Sequence, residues 1–463
     1  MKTKAILLLF AITVIPQLIG GVTWDLSSTM TATLQNGELT IRTTLSSEAM
    51  PDFTWDESPW FADRQTIHAV TIENNVTAIG NNAFSYCENI TSVTMPNSIT
   101  NIGDSAFLVC AGLPTILIPD QVTTIGDFVF YGCKSLEIIT IPASVSAIGT
   151  LAFDECNSLT AIDVHADNND FLSDDGVLYD KGKTRLILYP EQKSGTTFEI
   201  PNTVTIIEKA TFNKSSLTTI TIPDAVIEIK YAAFWCCRNL TGIILPNSLK
   251  TIGAEVFYYC ESLTTITIPN TVTEMGVNVF YGCNNLKSVS LPATLKEIPD
   301  YTFHNCSSLT SIEIPNSITA IGYKAFAACT GLEEVTVGWD TPLSIPDDTF
   351  DEVNTSTVTL KVPAGAKTRY IAADVWKTFT IIENDFSGND VVVPNALKAF
   401  VADGILSITG LRAGQPLYIY NVNGQLIYSG LVKTTEEHIP IVQNGIFIIV
   451  SGEKRLKIFL SKI

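Results

Sequence analysis

Charge is scarce in this chain. Only 16% of its 463 residues are Asp, Glu, Lys or Arg, and acidic residues outnumber basic ones 47 to 28, for a formal net charge of −19. A chain this acidic repels phosphate backbones, which argues against nucleic acid as a partner. Histidine is rarer still: His68, His165, His304 and His438 stand far apart, and no H-E-x-x-H occurs. A G-x-S-x-G motif is missing too, so no serine nucleophile is signalled. Beyond the first 21 residues no run of 18 uncharged apolar residues occurs, so no helical membrane span is expected. The ten cysteines never fall at a zinc-ligand spacing such as C-x2-C. What is plentiful is Thr, Ile and Val, which favour strands over disorder.

The N-terminus reads MKTKAILLLFAITVIPQLIGG. Lys2 and Lys4 precede an apolar run from Ala5 to Ile15, and Gly20 and Gly21 come after it. This is the pattern of a secretory signal peptide over residues 1–21, cleaved before Val22; a buried helix is the competing account. No cysteine lies near the cleavage point, which argues against lipid attachment.

A period of 23 residues organises most of the remaining chain. Phenylalanine recurs at Phe84, Phe107, Phe130 and Phe153, then at Phe212, Phe234, Phe257, Phe280, Phe303 and Phe326. The consensus is I-P-x-x-V-T-x-I-G-x-x-A-F-x-x-C-x-x-L-T-x-I-x, with ten clear units and a degenerate eleventh around Phe350. One unit holds too few apolar residues to fold alone, so neighbours must stack and bury them as columns, making a solenoid. The L-T-x-I-x-I segment alternates with period two and predicts a strand, paired with its equivalents into a parallel sheet. Proline ends each strand, because it has no N–H for the ladder. The stretch G-x-x-A-F-x-x-C predicts a short helical turn. Its glycine is replaced by Glu208, Lys230 and Pro299 in three units, and proline fixes φ near −65°, so close packing explains the glycines better than positive φ.

The repeat occupies residues 69–338, interrupted by a predicted hairpin insertion at 165–200. Residues 22–68 form an N-terminal cap, with a hairpin turn at Asn36–Gly37 and with Trp24, Trp55 and Trp60 to cover the first coil. A degenerate repeat and C-terminal cap span 339–383, where Val375, Trp376 and Phe379 seal the last coil. Residues 384–395 read as a linker, and 396–463 as a small β-sandwich of short strands.

The 23-residue unit resembles the BspA-type leucine-rich repeat of bacterial cell-surface proteins. "FLSDDGVLYDKGKTRLILYP" (171–190) resembles that family's inserted hairpin, and "LKVPAGAKTRYIAADVWKTF" (360–379) its terminal closure. The resemblance implies binding to host matrix proteins or cell surfaces and carries no catalytic residues over. "IYNVNGQLIYSG" and "NGIFIIVSGEKRLKIFL" resemble the C-terminal sorting domains of the bacterial type IX secretion route; an accessory immunoglobulin-like module is the plainer account.

Nine cysteines share one phase of the repeat: Cys87, Cys110, Cys133, Cys156, Cys237, Cys260, Cys283, Cys306 and Cys329. A column of like side chains pointing one way cannot easily reach disulfide geometry, so buried free thiols are expected. Cys236 is one step out of phase, which suggests exposure. Asp163, Asp167, Asp170, Asp174 and Asp175 cluster without a calcium-loop spacing and read as a solvated insertion. "GVLYDKGKT" (176–184) brushes against a phosphate loop, with its glycine misplaced. No metal site and no cofactor are expected.

The most distinctive surface signal lies one residue past the repeat phenylalanine. That position is Trp235, Tyr258, Tyr281 and His304 in consecutive units, and earlier Tyr131, between Leu108 and Asp154. If it faces outward, four rings form a ladder about 5 Å apart, suited to anchoring proteins or sugars. Mutual stacking for stability is the competing account. The sequence therefore reads as a leucine-rich-repeat solenoid, β-rich with short helical turns, plus a C-terminal β-sandwich. Its expected role is that of a secreted or cell-surface adhesive binding protein: monomeric, non-catalytic, with an extracellular protein or glycan as partner. The alternative is a structural spacer of the cell envelope; an extracellular hydrolase lacks a constellation.

Overall fold

The computed structural model describes residues 21–384 and, after them, 398–402, 405–409, 411, 415–421, 426–433, 436–440, 445–451 and 454–460. Residues 1–20 of the candidate signal peptide and 385–395 of the candidate linker lie outside the described residues. Residues 21–384 fall within one compact unit and the C-terminal strands within a second.

The first unit is a solenoid of about fourteen turns. Each coil has three sides. The L-T-x-I-x-I segment supplies one: Thr265–Thr267 pairs in parallel and in register with Ser288–Ser290 of the next coil. Alternation sorts its side chains, so Ile266 is buried while Thr265 and Thr267 face out. The V-T-x-I segment supplies the second, where Thr251–Ile252 pairs in parallel with Glu274–Met275.

The third side is not the expected helical turn. Along 253–260 the backbone alternates its donors. The N–H groups of Glu255, Phe257 and Tyr259 donate to the carbonyls of Val277, Val279 and Tyr281 one coil on, at 2.9, 2.9 and 2.7 Å. Those of Tyr258 and Cys260 donate back within the coil, to Glu255 and Phe257, both at 3.1 Å. A helix would turn every N–H back on its own chain; here half of them stitch one coil to the next, and left-handed residues make the alternation possible. Glu255 and Tyr259 have φ of 60° and 52°. The pattern recurs in other coils, as at Ser105 and Val109 or Tyr301 and Asn305. Gly132 and Gly282, each in an identical Val-Phe-Tyr-Gly-Cys pentapeptide at 129–133 and 279–283, take the same position as Tyr259, with φ of 73° and 72°.

The consensus glycines behave as their replacements imply. Gly253 and Gly276 lack positive φ, and an added Cβ would meet the Tyr231 nitrogen at 2.6 Å or the Ala254 nitrogen at 2.3 Å in the coil before. Close backbone approach is what they serve. In the two adjacent coils without the glycine, Lys230 Nζ pairs with Glu208 Oε1 at 2.9 Å, and Arg185 Nε reaches the same carboxylate at 2.7 Å.

The repeat phenylalanines stack in two runs, Phe84 to Phe153 before the insertion and Phe212 to Phe350 after it. Phe234, Phe257, Phe280 and Phe303 lie 5.4–5.5 Å apart with planes within 5°. Trp60 begins the stack on Phe84 at 5.8 Å, and is fully buried. Trp24 packs on Trp60, whereas Trp55 meets the first coil only at its rim: it is 60% exposed and touches Phe61 and Tyr86 edge-on. At the far end Phe350 meets Trp376 and Phe379 at 6.0 and 5.0 Å.

All ten cysteines are free and buried. From Cys110 onward the column thiols donate to the carbonyl of the repeat phenylalanine one coil back, as Cys260 Sγ does to Phe234 at 3.2 Å. Burial pushes Cys133 and Cys237 up to about 12. Cys236 is not exposed as expected; it takes the left-handed turn position, with φ of 53°, and is only 7% exposed.

The insertion divides the interior. Strands Phe171–Asp174 and Val177–Asp180 form a hairpin, and Arg185–Leu188 joins it to Ile206–Ile207 of the second sheet. Val177, Leu178 and Tyr179 are all buried, yet alternation sends them to different sides. Val177 and Tyr179 join the core on the C-terminal side, and Leu178 joins the core on the N-terminal side. This strand is a septum between two hydrophobic cores.

In the second unit, Lys398–Ala402, Ile405–Thr409 and Glu436–Pro440 form one antiparallel sheet. Leu426–Leu431, Pro416–Asn421, Gly445–Ser451 and Lys454–Leu460 form another. Leu406, Ile408, Leu417, Ile419 and Ile449 share a small core, as a β-sandwich requires.

Candidate binding surface on the turn face

From Leu108 to His304 the residue after the repeat phenylalanine is half-buried, whereas Ser85 and Ala327 at the two ends of the array are buried. The structure brings all four predicted rings together there. Trp235 and Tyr258 lie 5.8 Å apart with planes at 2°, Tyr258 and Tyr281 4.8 Å at 18°, and Tyr281 and His304 4.6 Å at 1°. All four are half-buried. Their faces cover one another, so the ladder turns ring edges outward. Burial, and then the nearby Lys324, holds the His304 imidazole below its usual range.

More rings join than one column accounts for. Tyr259 stands edge-on to Tyr258 and Tyr281, at 4.8 and 5.7 Å. Tyr301 packs against His304 at 5.6 Å and Tyr323 at 5.2 Å. These residues sit at the other turn positions of the same coils, so a reading of one repeat phase misses them. Gly282 makes room for one: an added Cβ would lie 2.5 Å from Tyr259 Cδ1.

The ladder ends at a gap. In consecutive coils its position reads Tyr131, Asp154, Asn213, Trp235. The two short polar residues bond to each other, Asn213 Nδ2 donating to Asp154 Oδ1 at 2.5 Å. Beside them opens a groove of about 490 Å³, lined by Tyr131 and Trp235 as well. Tyr131, isolated in the sequence, thus shares a cavity with the first ring of the ladder. A second cleft of about 460 Å³ lies beside the insertion and is lined by Arg185, Glu208 and Lys230, which are paired to one another.

Two of the five clustered aspartates, and Asp180 of the loop-like stretch, are engaged locally. Asp175 pairs with Lys193 at 2.8 Å, and Asp174 pairs with Lys183. Asp180 Oδ1 accepts from the Thr184 and Arg185 N–H groups, both at 2.7 Å, which occupies donors a phosphate loop would need. Among the described residues no group of three or more His, Cys, Asp or Glu side chains is placed to hold a metal, and no helix is long and apolar enough to cross a membrane.

Comparison with known proteins points the same way. The model of the BspA type leucine rich repeat region matches in six copies, over residues 57–175, 189–310 and 250–382. A leucine-rich repeat protein from Eubacterium ventriosum is 32% identical, over 67% of this chain and 95% of that one, with a TM-score of 0.56. The pneumococcal vaccine antigen PcpA, 21% identical over 79% of this chain and 99% of its own, shares the fold with a TM-score of 0.55. A search of curated proteins finds no match. By its repeats, its solenoid and the extent of these matches, the chain belongs to the BspA-type leucine-rich-repeat family.

Proposed function

We propose that this is a secreted or cell-surface binding protein, adhesive toward extracellular proteins or glycans and without catalysis, and that it binds through its turn face. The observation that carries this reading is the concentration of aromatic side chains there, from Tyr131 through Trp235 and Tyr258 to Tyr323. The exposed positions on the first strand side are by contrast mostly Thr and Ser, as at Thr219, Thr221, Ser288 and Ser290. Tyr and Trp give contact area at low entropic cost and dominate interface energetics. Trp235, Tyr258, Tyr281 and His304 are the proposed contacts. The N-terminal export signal and a sorting role for the C-terminal sandwich belong to the same reading, with the protein displayed as a monomer.

One observation favours the spacer reading: the rings cover each other's faces, which stabilises coil stacking whether or not a ligand exists. Simultaneous substitution of Trp235, Tyr258 and Tyr281 by Ala separates the two. Loss of binding on an array of matrix proteins and glycans, with the fold retained, supports adhesion. Lower stability with binding untouched removes the ladder as the site, and an array on which the unmodified protein binds nothing supports the spacer.

A further inference from the structure

Inside the ladder, ring faces are spoken for. Tyr258 lies between Trp235 and Tyr281, and Tyr281 between Tyr258 and His304. Trp235 stacks on one ring of this column and lines the 490 Å³ groove, together with Phe128, Tyr131 and Tyr231. Phe128 and Tyr231 are 37% and 41% exposed, so this aromatic lining is open to solvent.

The charge in the groove has one sign. Asp154, Glu155 and Glu255 line it, and no lysine or arginine does. One cation stands at the edge. Lys214 Nζ lies 5.6 Å from the centroid of the Trp235 ring and pairs with Glu155. The protein thus already holds an ammonium group between an indole and a carboxylate, a geometry in which cation–π attraction and ion pairing add. Asp154 and Glu255 have neutral hydrogen-bond partners instead: the Asn213 amide at 2.5 Å and the Tyr231 hydroxyl at 3.1 Å. Two carboxylates beside four aromatic rings are left without a cation in contact.

We propose that this groove binds a lysine or arginine side chain presented by an extracellular protein, held by Asp154 and Glu255 and by the rings of Tyr131, Tyr231 and Trp235. The proposal rests on the reading of the chain as a binding protein and names the chemistry of its partner. The short residues Asp154 and Asn213 make the site, because rings at those positions would continue the stack and fill it. Burial and the neighbouring Glu155 raise the Asp154 carboxyl above its usual range, against the Asn213 hydrogen bond and Lys214, and an incoming cation relieves that.

The test uses the full chain and labelled peptides of sequence Gly-Lys-Gly-Lys-Gly, with arginine, norleucine and glutamate versions, by fluorescence anisotropy. The expected result is binding of the lysine and arginine peptides only, weakened at least tenfold in Asp154→Asn/Glu255→Gln. Glu255→Gln alone, at a more exposed position, is expected to weaken it severalfold. A charge-matched control, Glu274→Gln/Glu297→Gln on the second sheet, changes it less than twofold, which separates the groove from the general field of an acidic protein. Equal effects of the two double variants, or no preference for basic peptides, overturn the proposal. So does a groove variant that loses glycan binding while keeping peptide binding. In those cases continued sensitivity of array binding to the Trp235, Tyr258 and Tyr281 substitutions leaves the binding-protein reading standing; its loss requires that the array show nothing at all.

Discussion

Replacing Gly282 by Ala, with Gly132→Ala as its partner, tests the turn face at two identical pentapeptides. Both glycines have φ near +72°, so in both an L side chain costs about 1–2 kcal/mol. The surroundings differ. At Gly132 the new methyl lies 3.2 Å from Val109 Cγ2, which a small shift accommodates. At Gly282 it lies 2.5 and 2.6 Å from Tyr259 Cδ1 and Cε1, so the ring must leave. Leaving breaks the edge contacts of Tyr259 with Tyr258 and Tyr281, a further loss of about 1–3 kcal/mol for two aromatic pairs. Urea unfolding of the full chain is expected to show Gly282→Ala as the more destabilised by at least about 1 kcal/mol. Its near-ultraviolet circular dichroism is expected to change, whereas that of Gly132→Ala is not. Equal destabilisation and unchanged spectra in both variants would refute the claim that Gly282 exists to seat Tyr259.

Two further outcomes are expected. With burial pushing Cys87, Cys133, Cys237 and Cys329 up to about 12, the native protein resists a thiol reagent at neutral pH, and all ten thiols react after unfolding; fewer than ten would reveal a disulfide. Glu208 is pushed up by burial, but its bonds from Arg185 and Lys230 outweigh that and hold it below the usual 4.5. A depressed carboxyl stabilises the fold above its unfolded value and loses that contribution as pH falls through the folded one. Glu208→Gln therefore costs about 1–3 kcal/mol near neutrality, and its melting temperature converges on that of the parent below pH 4.5.

Period alone made much of the solenoid legible. Phe257 is buried in a stack, Ile266 faces in and Thr267 out, and Cys260 is a buried thiol, all as a 23-residue spacing with internal alternation implies. The turn side was misread because its conformation comes from bonds between coils. Tyr86, Val109, Lys214 and Asn305 share a left-handed φ but no chemical trait, so composition gives no signal there. The four rings of the ladder were legible as a column. Tyr259 and Tyr301 were not, because they reach it from other turn positions. The groove was hidden for a further reason. It depends on two short residues, Asp154 and Asn213, that lie on opposite sides of the insertion and become neighbours only when the hairpin is folded in.

The septum bears on how damage spreads. In an array whose units couple only to their neighbours, order and disorder pass along the chain of contacts. Here the interior contacts are parted at Leu178, which faces one core while Val177 and Tyr179 face the other. One apolar strand, Val177–Asp180, closes the inner end of both halves. A nick, an oxidised thiol or a local melt in one half is therefore expected to loosen that half's core before the other's.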